Sequence, residues 1–285
     1  MKGPLAAAYF LPAIVISCAA PAHEQHYETG MTSHLQRDGK TLSARFLPPP
    51  GAARIPAGEG SITTFFRSLP LKPHEAPALY YDGRVKENDG IYAAVLSSMP
   101  PGNADLQQCA DAVMRLRAEW HWSLGQHHRI HFNFTSGFRA DWDRWRAGSR
   151  IAVSGNKVSW VKNATPSDAH SNLIAYLNRV FSYAGTLSLS RELKPEQWAD
   201  MQPGEELIVG GSPGHAGPVM DMAADTAGHK WYMLSQSYMP AQEIQILCNP
   251  ADPSGSPWYS LDGAGAVIST PQWDFSKAQL MRFDD

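Results

Sequence analysis

The second half of the chain places the strongest constraint on the fold. From Leu207 onward, "ELIVGG", "HAGPVMDMA", "KWYMLSQSY" and "EIQILCN" are short apolar runs separated by Gly, Pro, Asn and Asp. Runs of this length with turn residues between them predict an antiparallel sheet built from hairpins. The segments before them read mainly as helices. Helices first and strands afterwards give an α+β architecture, with a cysteine-bearing helix packed on the sheet. With 285 residues, 43% of them hydrophobic, the chain has enough apolar surface for one large core.

Local signals place the earlier elements. "SITTFFRSLPL" predicts a short helix opened by Ser61. "ALYYDGRVKEN" predicts a strand pair turned at Asp82-Gly83, and "GIYAAVLSSM" a buried strand ended by Pro100-Pro101-Gly102. In "NADLQQCADAVMRLRAEW", Asp105 is the expected N-cap with Gln108 three residues on. Leu106, Ala110, Val113, Leu116 or Arg117, and Trp120 then form one apolar stripe, with Cys109 beside it in the first turn. "RIHFNFTSGF" alternates like a half-buried strand, and "DWDRWRAG" predicts a short helix ending at Gly148. "SDAHSNLIAYLNRVFSYAG" predicts a further amphipathic helix capped by Ser167 and closed near Gly185.

The N-terminus carries a different kind of signal. Lys2, an apolar run from Leu5 to Ile16 and small residues around Cys18 have the layout of a secretory signal. Val15-Ile16-Ser17-Cys18 also resembles a bacterial lipobox, which makes Cys18 a candidate for lipidation and residues 1–18 a leader. Residues 19–44 would then tether a single domain, 45–285, to a membrane through the lipid. The alternative is a secreted chain cleaved near Ala20 or Ala22, with Asn133-Phe134-Thr135 and Asn163-Ala164-Thr165 as glycosylation sequons. A formal charge of -3 gives no basic excess to attract nucleic acid.

In an oxidising compartment Cys109 and Cys248 could form one disulfide. The other reading makes Cys109 chemical. The unpaired N–H groups and the dipole of a helix start favour thiolate over thiol, and a thiolate is a nucleophile. Acyl chemistry also needs a base and a group that orients it. His215 in "GGSPGHAGPVMDMA" stands after a Gly/Pro turn where a strand begins. Asp221 lies six residues further along that strand, about 20 Å away at strand rise, too far to orient the imidazole. A hairpin turn at Asp225 to Gly228 instead brings the next strand beside His215, with Gln236 the candidate orienter and Ser235 and Ser237 open alternatives. The Cys109 N–H with Gln107 or Gln108 would supply oxyanion donors. Gly217-Pro218 predicts an edge position or a bulge for the histidine strand.

"LQQCADAVMRLRAEW", "FNFTSGF", "YAGTLSLSREL", "GGSPGHA", "SQSYMPAQEIQIL" and "SPWY" together resemble an uncharacterised family of bacterial envelope lipoproteins, domain of unknown function 4846, over roughly Arg45 to Phe283. A second resemblance, carried by a cysteine at a helix start, His-Ala opening a strand and a polar residue on the next strand, is to the papain-like clan, NlpC/P60 peptidases and transglutaminase-like proteins within it. It implies a papain-like fold, an N-terminal cysteine helix packed on an antiparallel sheet, with Cys109 as nucleophile, His215 as base and Gln236 as orienter, and no cofactor. NlpC/P60 proteins usually place a second histidine, and transglutaminase-like proteins an aspartate, where this chain has glutamine.

The expected activity is therefore a thiol hydrolase or acyl transferase acting on an envelope amide, in a peptidoglycan peptide or a surface protein. The alternative is a lipid-anchored protein that binds a peptide ligand without chemistry, Cys109 being structural. His127, His128 and His131 read as a surface loop rather than a metal site, and the nine tryptophans as core or cleft lining.

Overall fold

The computed structural model describes residues 35–284; the candidate leader and Cys18 lie outside them. Three short elements come first, α1 (Leu42–Arg45), β1 (Ala52–Arg54) and α2 (Ile62–Ser68), followed by β2 (Tyr92–Val95) and α3 (Cys109–Ser123). The hairpin of β3 (His131–Asn133) and β4 (Arg139–Asp141) leads into α4 (Trp142–Arg146). A second hairpin follows, β5 (Ser149–Ser154) with β6 (Lys157–Lys162), and then α5 (His170–Phe181) and α6 (Thr186–Glu192). The remainder is strand: β7 (Lys194–Pro195), β8 (Glu206–Val209), β9 (His215–Asp225), β10 (Lys230–Gln236), β11 (Gln245–Leu247), β12 (Tyr259–Ser260), β13 (Val267–Ser269), β14 (Asp274–Ser276) and β15 (Leu280–Arg282).

The result is a mixed α+β fold whose strand pairs are antiparallel. The main sheet runs β2-β11-β10-β9-β8-β15-β7, with β1 joining β9 and β12 joining β10. Both of its faces are covered. On one, α2 and α3 pack on β9, and Phe66, Ala112 and Leu116 meet Met220, Ala223 and Met233. On the other, Val219, Met222, Tyr232 and Leu234 meet Ile268 and Phe275 of the β13–β14 hairpin. A further core joins α3 to α4 and α5, through Val113, Met114 and Ala118 against Trp142, Tyr176 and Leu177.

Local chemistry explains several boundaries. Ser61 accepts from the Thr64 N–H and opens α2. Gly148, with φ of 95°, ends the turn after α4, where a side chain would also meet the Ala164 carbonyl. Asp225 accepts from the Ala227 and His229 N–H groups and fixes the β9–β10 turn.

The structure corrects other expectations. The cysteine helix is not N-terminal: among the described residues it is the third helix, and it starts at Cys109 with Gln108 as N-cap rather than Asp105. The Asp111 carboxylate accepts from the Gln108 N–H at 3.1 Å, while Asp105 is drawn away to the Ala241 N–H at 2.6 Å. Nor does α3 show a single buried stripe. It is buried on nearly all sides, and Arg115 pairs with Glu119 at 2.7 Å within it. The expected tether does not extend to residue 44, because Leu42 is fully buried and Leu35 bridges Phe46. Asp82-Gly83 closes a turn with the single bridge Leu79–Val85 in place of a strand pair. In α5 the N-cap is Ala169; Ser167 accepts the Ala169 N–H just outside the helix.

The histidine strand β9 is central, not an edge. Pro218 faces Glu206 across the β8 ladder, and the irregularity that proline implies is a register shift between Met233 and Leu234, with Met220 the extra residue on β9. Among the described residues no helix is long and apolar enough to cross a membrane.

Candidate functional site

Strand β9 opens at His215, and the 3.0 Å contact from its imidazole Nε2 to Gln236 Oε1 sits at the far end of β10. The hairpin turn at Asp225 to Gly228 is what brings two residues 21 apart together. The His215 Nδ1 makes no hydrogen bond to any described residue. The helix start delivers Cys109 to the same place. Both residues line a cleft of about 550 Å³ together with Gln108, Thr186, Tyr238 and Trp273. A larger groove of about 730 Å³, lined by Cys248 and Trp258 among others, lies elsewhere. The smaller cleft is singled out by the chain of polar groups behind its histidine.

His215 is caged by aromatic rings, with Tyr238, Trp273 and Phe275 at centroid distances of 4.8, 5.3 and 5.8 Å. Burial pushes its pKa down to about 4; the Gln236 hydrogen bond opposes this and the nearby Lys86 charge adds to it. The imidazole is neutral at physiological pH. Cys109 is 8% exposed. Burial, and after it the Asp111 carboxyl, pushes the thiol up to about 11, against the N–H groups of Ala110, Ala216 and Cys109 itself. Burial thus works against the thiolate that the helix start favours, and desolvation is the larger of the two effects. The resting pair is thiol and imidazole, and a base must take the proton as the sulfur attacks.

The remaining sequence candidates fall into two groups. Gln108 lines the cleft, its Nε2 donating to Asp105 at 3.0 Å. Gln107 does not reach the cleft. It is 1% exposed, and its amide is used inside, donating to the Met99 carbonyl and accepting from Arg115. Ser237 is likewise engaged, its single hydroxyl hydrogen shared between the Gln242 carbonyl at 2.7 Å and the Gln107 carbonyl at 3.0 Å, and the Ser235 hydroxyl is buried without a partner among the described residues. Asp221 is fully buried between Arg54 and Arg67, remote from any role at the imidazole. Cys109 and Cys248 are both free thiols, so the disulfide reading does not hold. His127 begins a short turn and accepts from Trp142 Nε1, and among the described residues no group of His, Cys, Asp or Glu is placed to hold a metal.

Sequence reasoning missed the polar chain behind Gln236. Gln236 Nε2 donates to Gln272 Oε1 at 2.7 Å, and the Lys86 ammonium donates to the same oxygen at 2.8 Å. Lys86 also donates to Gln242 at 2.6 Å and Gln245 at 3.0 Å. The only signal available was a pair of glutamines inside the apolar run "AQEIQIL"; nothing in "GRVKEN" marks Lys86 as buried. The wall on the other side is made by backbone. A Cβ on Gly214 would lie 2.5 Å from the Gly211 carbonyl and from Thr186 Oγ1. Gly214→Ala is expected to destabilise the fold by about 1–3 kcal/mol through overpacking, measured by chemical denaturation.

No curated protein and no solved structure matches this chain. A match to a domain of unknown function, 4846, extends over residues 42–282, from α1 to β15, and the chain belongs to that family.

Proposed function

We propose that this chain is an envelope-anchored thiol hydrolase or acyl transferase acting on amide bonds, with a papain-like arrangement of Cys109, His215 and Gln236. The observation that carries the reading is the His215–Gln236 hydrogen bond at 3.0 Å on the cleft that Cys109 lines. With Nε2 held by the amide, Nδ1 takes the thiol proton while the sulfur attacks the substrate carbonyl. The Cys109 N–H, with the second hydrogen of the Gln108 amide nitrogen that Asp105 leaves unused, would donate to the developing oxyanion. The imidazolium returns its proton to the leaving amine, and water or a second amine resolves the thioester. Glutamine orients the ring without adding negative charge, so the imidazolium gains less stabilisation than an aspartate would give. The lipobox-like Val15 to Cys18 supports a lipid anchor at the cell envelope and a substrate there, a peptidoglycan peptide or surface protein.

One observation favours a second reading, a binding protein on the same fold with Cys109 structural: the thiol is buried and its pKa is raised. Turnover separates the two. Purified protein incubated with peptidoglycan peptides and peptide amides is expected to release amine and to show a transient acyl adduct on the Cys109 peptide by mass spectrometry. Cys109→Ala should reduce turnover by at least about 10³-fold with its melting temperature preserved. Unchanged turnover in that variant would exclude the thiol mechanism.

A further inference from the structure

A buried cation facing three amide oxygens stands two side chains behind the imidazole. Lys86 is 4% exposed, and no carboxylate pairs with it among the described residues. An ammonium carries three donors and no acceptor, so every group it faces must offer oxygen. The backbone enforces this independently at two of the three. The Gln242 amide nitrogen donates to the Pro240 carbonyl, which turns Gln242 Oε1 to the lysine. The Gln245 nitrogen donates to the Glu243 carbonyl and to Gln242 Oε1, which turns Gln245 Oε1 the same way. Burial brings the amine down to about 8, which leaves it protonated at neutral pH.

The third contact runs toward the site. Gln272 must present Oε1 to Lys86, and that oxygen uses its second lone pair on Gln236 Nε2 at 2.7 Å. Gln236, with its nitrogen so engaged, has only Oε1 left for the ring at 3.0 Å. An oxygen there requires Nε2 of His215 to carry the proton, which leaves the Nδ1 lone pair free. Without a pure donor at the head of the chain, both amides can turn over together with every hydrogen bond kept, and the ring then protonates at Nδ1.

We propose that Lys86 is a positioning residue that fixes the His215 tautomer through Gln272 and Gln236, so that the ring presents a basic Nδ1 to the cleft. The consequence for catalysis rests on the thiol-hydrolase reading; the tautomer assignment does not.

The test reads the tautomer directly. In full-length protein labelled with ¹⁵N-histidine, long-range ¹H–¹⁵N correlation near neutral pH is expected to show His215 as the Nε2–H form alone, its signals being those missing from His215→Gln. Lys86→Met and Gln272→Met should convert the ring to the Nδ1–H form or a mixture of the two. Gln272→Glu should keep the wild-type pattern, because a carboxylate only accepts. Packing alone predicts no such contrast between Met and Glu at one position. Should Lys86→Met fail to fold, the half-buried Gln272 pair decides the matter. An Nδ1–H ring in the wild type, or an unchanged Nε2–H ring in the folded methionine variants, overturns the proposal. Where turnover is found, the methionine variants should lose about 10–100-fold in kcat with KM little changed, less than the loss from removing the direct orienter of a triad. A wild type without turnover but with the expected tautomers would fail the hydrolase reading and leave this one standing.

Discussion

Replacing Asp221 with alanine is expected to lower the stability of the fold by about 3–5 kcal/mol, the effect of removing one partner from a buried ion pair. Asp221 is fully buried, and its two oxygens accept from Arg67 at 2.7 Å and Arg54 at 2.6 Å. Those arginines reach it from α2 and β1, so one carboxylate ties both elements to the central strand β9. Its loss leaves two largely buried guanidinium groups without a counter-charge, held only by backbone carbonyls of Phe46, Ile55 and Met222. For a domain of this size the change corresponds to a melting temperature about 10 °C lower. Asp221→Asn, which keeps an acceptor but not the charge, should fall between alanine and wild type. A melting curve for Asp221→Ala within a degree or two of wild type would show that the arginines are satisfied elsewhere.

The second large effect concerns Cys109. A thiol raised from its ordinary 9.0 to about 11 is roughly 100-fold poorer in thiolate than the same cysteine in the unfolded chain. Iodoacetamide labelling of the Cys109 peptide should therefore be slow at neutral pH, climb about tenfold per pH unit toward about pH 11, and rise about 100-fold at neutral pH when the protein is unfolded. The sign of the linked stability follows. The folded state holds the proton more tightly than the unfolded one, so this contribution is complete below pH 9.0 and is lost as the pH rises to about 11. Cys248 is raised to about 11 by burial as well, and it lines the other groove. Peptide-resolved mass spectrometry keeps the two apart. Fast labelling of Cys109 below neutral pH would instead reveal a thiolate–imidazolium pair and a more open site.

Much of this architecture was legible because it depends on neighbours in sequence. Ser61 opens α2, Gly148 ends the turn after α4, and the turn at Asp225 to Gly228 sets the β9–β10 hairpin. That last turn made Gln236 legible too, since register along a hairpin is counted from its turn. The start of α3 was not legible. Asp105 has the chemistry of an N-cap, yet its carboxylate binds the Ala241 N–H, 136 residues away. A local rule cannot anticipate a competing donor brought by the fold. Lys86 and Gln272 failed for the same reason, lying 186 residues apart and meeting at a single oxygen.

The sequence by itself determined the α+β order of elements, the antiparallel hairpins after Leu207, the cysteine and histidine that line one cleft, and the glutamine behind the imidazole. Propensity, turn chemistry and alternation act over a few residues, and those features depend on little else. Only the tertiary structure decided which charge state these residues hold. Burial of α3 on nearly all sides keeps Cys109 a thiol, the aromatic cage keeps His215 neutral, and a distant lysine holds the amides in line. Desolvation and hydrogen-bond direction depend on what surrounds a group in space, and those surroundings come from segments that the chain order keeps far apart.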